Sequence, residues 1–172
     1  MVNVIFIDDN YLYQNFPLPT RMERAALLSI IQLEQYTSLQ DLLGTCLYEH
    51  MEQGVLDQTL TTDEQGLFKL MKYILAMYSA KASITMLRSQ TSNTKREESV
   101  QNQYTLDALI ENIDSKLGYI SQRIADYVLA DVALKAIVTA TTCTGDLWNS
   151  EEVYNSAVYY PTTGIVDTKC EE

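Results

Sequence analysis

One histidine, three cysteines and six glycines are all that this 172-residue chain contains, and that scarcity removes several classes of function. His50 has no second histidine to join it and no cluster of cysteines or carboxylates at ligand spacing, so a metal centre lacks its usual donors. It reads as a partly exposed helix residue. Cys46, Cys143 and Cys170 are far apart, odd in number and form no C-x-x-C, which describes reduced thiols in a cytosolic setting. There is no glycine-rich phosphate loop, no G-x-G-x-x-G and no G-x-S-x-G nucleophile elbow. No apolar run approaches the ~18 residues of a membrane span, and the N-terminus lacks the basic region of a signal peptide. The expectation is a soluble protein with no cofactor, no metal and no membrane partner. Basic residues are scarce as well. Lys plus Arg is 12 against 23 for Asp plus Glu, a net charge of −11, which argues against a general grip on nucleic acid or on an anionic bilayer.

What the chain does have is helical periodicity. Between Thr105 and Val138, the residues Leu106, Ile110, Ile113, Leu117, Ile120, Ile124, Tyr127, Leu134 and Val138 step by fours and threes, with Asp131 as the polar intruder. A single helix over that stretch would be ~50 Å long. Its first half is flanked by charges such as Asp107, Asp114, Lys116 and Arg123. Its second half is flanked by Val128, Leu129, Ala130, Val132, Ala133, Ala136 and Ile137, so that half is expected to be dry on every side. Charges beside the seam vanish after Asp126, which favours the spine of a bundle over a two-stranded coiled coil. Asp131 then needs a partner, either as a helix cap or with a lysine from another element.

The remaining helices are legible from caps and stripes. Thr20 is a plausible cap for a helix through Ala26, Leu27, Ile30 and Ile31 to about Tyr36, and Ser38 with Asp41 offers a second start. Gly44 breaks that turn, and a short helix follows from Cys46 to Gly54. Thr61-Thr62-Asp63-Glu64-Gln65 has the form of a capping box, opening a helix with Leu67, Leu70, Met71, Ile74, Leu75 and Tyr78 on one stripe. The stretch 89–99 holds no apolar residue and reads as an exposed loop.

Both ends differ from this middle. Val4-Ile5-Phe6-Ile7 followed by Asp8-Asp9 looks like the first strand and acidic pair of phosphoacceptor receiver domains. That fold also needs four further parallel strands, and the next hundred residues read as helix. Pro17 and Pro19 impose an extended kink instead, so residues 1–19 are expected to form an extended arm carrying Tyr11, Tyr13 and Phe16. After Val138 the chain turns acidic and aromatic. Asp146, Glu151, Glu152, Asp167, Glu171 and Glu172 stand against Lys169 alone. Val158-Tyr159-Tyr160 and Ile165-Val166 around Pro161-Thr162-Thr163-Gly164 predict a short β-hairpin. The expected organisation is therefore a mainly α protein, a helical bundle over 20–138 built on one long C-terminal helix. An extended N-terminal arm (1–19) precedes it, and a C-terminal tail (139–172) with the hairpin follows. Twelve tyrosines on an acidic helical frame suit wet protein–protein contacts, with no catalytic residue identified. Trp148, Tyr154, Tyr159, Tyr160 and Ile165 in the tail, with Tyr11, Tyr13 and Phe16 in the arm, are the candidate interface anchors.

The segment Glu34-Gln35-Tyr36-Thr37-Ser38-Leu39-Gln40-Asp41-Leu42-Leu43-Gly44-Thr45-Cys46-Leu47-Tyr48 resembles a pattern in neck proteins of tailed phages. There, a helix ends before Leu-Leu-Gly and Leu-Tyr opens the next. Ile74-Leu75-Ala76-Met77-Tyr78-Ser79-Ala80 resembles the second long helix of the same family, the head–tail connector (adaptor) proteins, especially those of crAss-like phages of Bacteroides-type hosts. The similarity spans roughly residues 20–138. It implies a non-enzymatic structural virion protein, assembled in the host cytoplasm, that forms a ring of twelve copies at the neck. Its partners would be the portal, the neighbouring neck and tail rings, and double-stranded DNA passing through the channel without specific binding. The rival reading is a cellular helical-bundle or coiled-coil interaction and regulatory module.

Overall fold

The computed structural model describes residues 4–16, 18, 22–92 and 97–139. Among these residues the chain is mainly helical and contains no strand. The predicted hairpin at 158–166 and the tail anchors lie outside the described residues.

Residues 9–15 coil into a short helix, α1 (Asp9–Asn15), where an extended arm was expected. The acidic pair provides the reason. The Asp8 carboxylate accepts the Tyr11 N–H at 2.8 Å, and Asp9 adds negative charge to the first turn. The residues that look like a receiver-type acidic pair are thus a helix start. The chain then forms α2 (Arg24–Glu34), a π-helical turn (Gln35–Leu39) and α3 (Gln40–Leu43) without a break. Ser38 does not begin a new helix. Its hydroxyl donates back to Glu34, while the backbone stays right-handed through Gln40. The break comes at Gly44, whose φ of 75° and ψ of 152° suit a residue without a Cβ. This one residue both ends α3 and begins α4 (Thr45–Asp57).

The capping box at Thr61 forms as its residues predict. Thr61 N–H donates to Glu64 Oε2 at 2.7 Å and Glu64 N–H to Thr61 Oγ1 at 3.3 Å, opening α5 (Thr62–Ser92). Helix α6 (Glu97–Ala130) packs antiparallel along α5, with Lys81 on Asp114 (2.6 Å) and Arg88 on Asp107 (3.1 Å) marking the register. Both helices extend into the polar stretch expected as a loop, α5 to Ser92 and α6 from Glu97.

Two corrections concern the expected spine. First, it is not one helix. Asp131 leaves the helical region (φ −92°, ψ 127°) and its Oδ1 accepts the Leu134 N–H at 2.8 Å, capping a separate α7 (Val132–Val138). The cap is the partner that this aspartate required. Second, its C-terminal half is not dry. Leu134 and Val138 are buried, but Val132 is 85 % exposed and Ala130, Ala133 and Ala136 face outward. The stretch enclosed on nearly every side is the middle of α5, where Met71, Ile74, Leu75, Ala76, Met77 and Ala80 have no exposed surface. They point round most of the circumference, so α5 carries the core and α2, α6 and the N-terminal segment pack against it. The seam of α6 is buried as read, through Leu106, Ile113, Leu117, Ile120 and Ile124.

One glycine shows how closely the two long helices meet. Tyr127 of α6 reaches across to α5, and its hydroxyl donates to the Asp63 carbonyl at 2.9 Å. A Cβ on Gly66 would sit 2.1 Å from that hydroxyl oxygen and 2.9 Å from the ring. Any larger residue at 66 would require the Tyr127 side chain to shift.

Candidate functional site

The helix stripe Leu27, Ile31, Gln35, Leu39 has a polar side chain where a fourth apolar one belongs, and the structure shows what it holds. The π-helical turn begins at Gln35, and the side chain there is 1 % exposed. Its Oε1 accepts the Phe6 N–H at 2.9 Å, and its Nε2 donates to the Val4 carbonyl at 2.8 Å and to the Tyr48 hydroxyl at 2.9 Å. One amide thereby supplies the bonds that a neighbouring strand would give to residues 4–6. Gln35 and Tyr48 stand near the two ends of the Glu34–Tyr48 motif, and the Gly44 corner brings them together.

Around this clamp the N-terminal segment is packed down. Phe6, Ile7, Leu12 and Phe16 are buried. Phe6 meets Phe68 edge-on at 5.3 Å and Tyr48 at 5.6 Å, while Phe16 lies 5.7 Å from Tyr73. Burial pushes the Tyr48 phenol well above its ordinary value; the Gln35 bond opposes that shift, and the negative field of Glu52 adds to it. Tyr36 and Tyr11 are raised in the same direction, also chiefly by burial.

Beside the segment lies an open groove of about 520 Å³, walled by Ile5, Tyr11 and Leu28, with Arg24, Lys72 and the Asp8 carboxylate also lining it. Arg24 pairs with Asp9 at 3.2 Å. The Lys72 ammonium lies 5.5 Å from the Tyr11 ring centre and 5.2 Å from that of Phe68. No ion pair joins Lys72 to a carboxylate among the described residues. The groove thus offers an apolar wall and a cation held beside two rings.

The arm residues named from sequence fall around this site. Tyr11 lines the groove, Tyr13 accepts the Met22 N–H at 3.1 Å, and Phe16 is buried against the bundle. Trp148, Tyr154, Tyr159, Tyr160 and Ile165 lie outside the described residues. Gln35, Tyr48 and Lys72 were not singled out by sequence reasoning, although a glutamine within an apolar stripe was a signal for the first. His50 bonds Glu64 at 2.5 Å, and together with the Thr61 contacts this outweighs partial burial to hold the Glu64 carboxyl below its ordinary value. Among the described residues no group of three or more metal-binding side chains gathers. Cys46 is disulfide-bonded, against the reduced thiol expected; Cys143 and Cys170 lie outside the described residues. Comparisons with protein families, curated proteins and solved structures find no match for this chain.

Proposed function

We propose that this chain is a structural subunit of a tailed-phage neck, with no enzymatic role. Twelve copies stand side by side in a ring between portal and tail and surround the DNA channel. The observation that carries this reading is the behaviour of Glu34–Tyr48, the segment on which the resemblance to connector proteins rests. It folds as one unit, a π-turn, a glycine corner and a helix start, whose Gln35 and Tyr48 hold the N-terminal segment in place. A sequence likeness confined to one surface stripe would support the reading less.

Two further features agree with it. A chain of net charge −11 makes a conduit wall that repels DNA, letting it slide where a basic wall would hold it. Tyr104, Tyr119 and Val132 are 72, 57 and 85 % exposed, leaving large apolar side chains on the outer surface of α6 and α7 for neighbours. The portal, the adjoining neck rings and other copies of the chain are the partners, with Trp148, Tyr154, Tyr159, Tyr160 and Ile165 as tail anchors. Assembly takes place in the host cytoplasm and the product resides in the virion. No described helix is long and apolar enough to cross a membrane.

The test is assembly. Mass photometry of the purified chain with its portal, followed by electron microscopy, should show closed rings seated on the portal. A stable dimer that ignores the portal would refute the connector reading and favour the cellular interaction module.

A further inference from the structure

We propose that the groove beside the N-terminal segment is the seat for residues 146–160 of a second copy of this chain, a proposal that rests on the ring reading above. The groove combines an apolar wall with a cation already fixed in position. Ile5 is 39 % exposed there beside Tyr11 and Leu28, and Lys72 sits over the Tyr11 and Phe68 rings with no carboxylate paired to it among the described residues. Ring faces attract the ammonium without neutralising it, and Asp8, the carboxylate that also lines the groove, accepts the Tyr11 N–H and makes no ion pair with Lys72. A carboxylate arriving from the groove would supply the counter-charge through a charge-assisted hydrogen bond.

Residues 146–160 have the complementary character. They contain Asp146, Glu151 and Glu152 with no lysine or arginine, interleaved with Trp148, Val153, Tyr154, Val158, Tyr159 and Tyr160. Acidic groups beside large aromatic ones match a cation beside an apolar wall. The groove and the segment are different surfaces of one chain, so each copy both offers and accepts. A contact of that kind is heterologous, the type that closes into rings when its rotation permits.

The experiment uses the full-length chain. Sedimentation velocity over a concentration series is run on the unaltered protein, on Lys72→Glu, and on Lys72→Glu combined with Glu151→Lys and Glu152→Lys. The expected result is assembly of the unaltered chain, weakening of about tenfold in Lys72→Glu, and recovery in the charge-swapped combination. Thermal melts confirm that each variant is folded. If Lys72→Glu fails to fold, Ile5→Lys at the exposed wall should weaken assembly to a similar degree. Assembly unchanged by Lys72→Glu and Ile5→Lys would overturn the groove while leaving the ring intact. Weakening without recovery on charge reversal would overturn the segment as occupant. A chain that stays monomeric at every concentration and with portal present would overturn both.

Discussion

Replacing Gln35 with leucine should release the N-terminal segment while leaving the helices in place. Leucine approximates the glutamine's volume and removes all three hydrogen bonds. The Phe6 N–H and the Val4 carbonyl then lose this partner, and the Tyr48 hydroxyl loses the Gln35 donor while keeping its bond to Tyr36. A buried group left unsatisfied costs about 1–3 kcal/mol. The buried Phe6 N–H bears that cost in full, whereas the Tyr48 hydroxyl keeps Tyr36 and the Val4 bond is only part-buried, so both bear only part of it. Against this, leucine gains the burial of its own apolar surface, worth about 1–2 kcal/mol at a fully enclosed site. The net expectation is a loss of about 1–3 kcal/mol, concentrated on residues 4–16. Hydrogen exchange followed by mass spectrometry reads this directly, because the peptide covering 4–16 should lose protection while peptides from the middle of α5 keep theirs. Tyr48→Phe removes one of the three Gln35 bonds and should cost about 1 kcal/mol, and the double variant should be far from additive because the two side chains bond each other. If Gln35→Leu matches the unaltered protein in urea midpoint and in protection of 4–16, the amide does not hold the segment and the reasoning fails.

Three other outcomes follow from the same structure. Gly66→Ala places a Cβ where the Tyr127 hydroxyl sits and should push that side chain off the Asp63 carbonyl. Alanine's gain of about 1 kcal/mol within a helix offsets the lost bond, so denaturant titration should show a change of less than about 1 kcal/mol; a loss of several kcal/mol would mean that the tyrosine cannot move aside. Asp131→Ala removes the cap of α7 and should cost about 1 kcal/mol, whereas Asp131→Asn should retain most of it; equal losses would point to charge instead of capping. Because burial raises the folded-state value of Tyr48 above the ordinary 10.0, its contribution is complete below pH 10 and declines as pH rises beyond it. Alkaline titration of stability should therefore fall more steeply for the unaltered protein than for Tyr48→Phe, and parallel curves would contradict the burial of that phenol.

The helices could be read from sequence wherever a local rule was sufficient to set them. The Thr61–Glu64 capping box, the glycine break at Gly44 and the buried seam from Leu106 to Ile124 depend on neighbours within a turn or two, and all three appear in the structure. Readings failed where a residue had two local uses. Asp8 and Asp9 fitted a receiver-like acidic pair as well as a helix start, and the backbone of α1 chose the second. Ser38 could begin a helix or sit within one, and the π-helical turn carried the chain past it. Gln35 could be seen to interrupt an apolar stripe, but its partners Val4 and Phe6 are about thirty residues away, and no periodicity reports contacts at that range.

By itself the sequence determined the helical character, the caps, the glycine corner and the strong acidic bias, because each follows from residue type and short spacing. Tertiary structure alone decided which helix is the core. An apolar stripe shows that a helix has a face to bury without showing how many neighbours surround it. Thr105–Val138 therefore looked like the spine, until packing enclosed α5 and left Val132 in solvent. It also decided that the N-terminal segment lies against the bundle, where Gln35 supplies the hydrogen bonds of a missing strand and Lys72, held over two rings, borders the groove beside it.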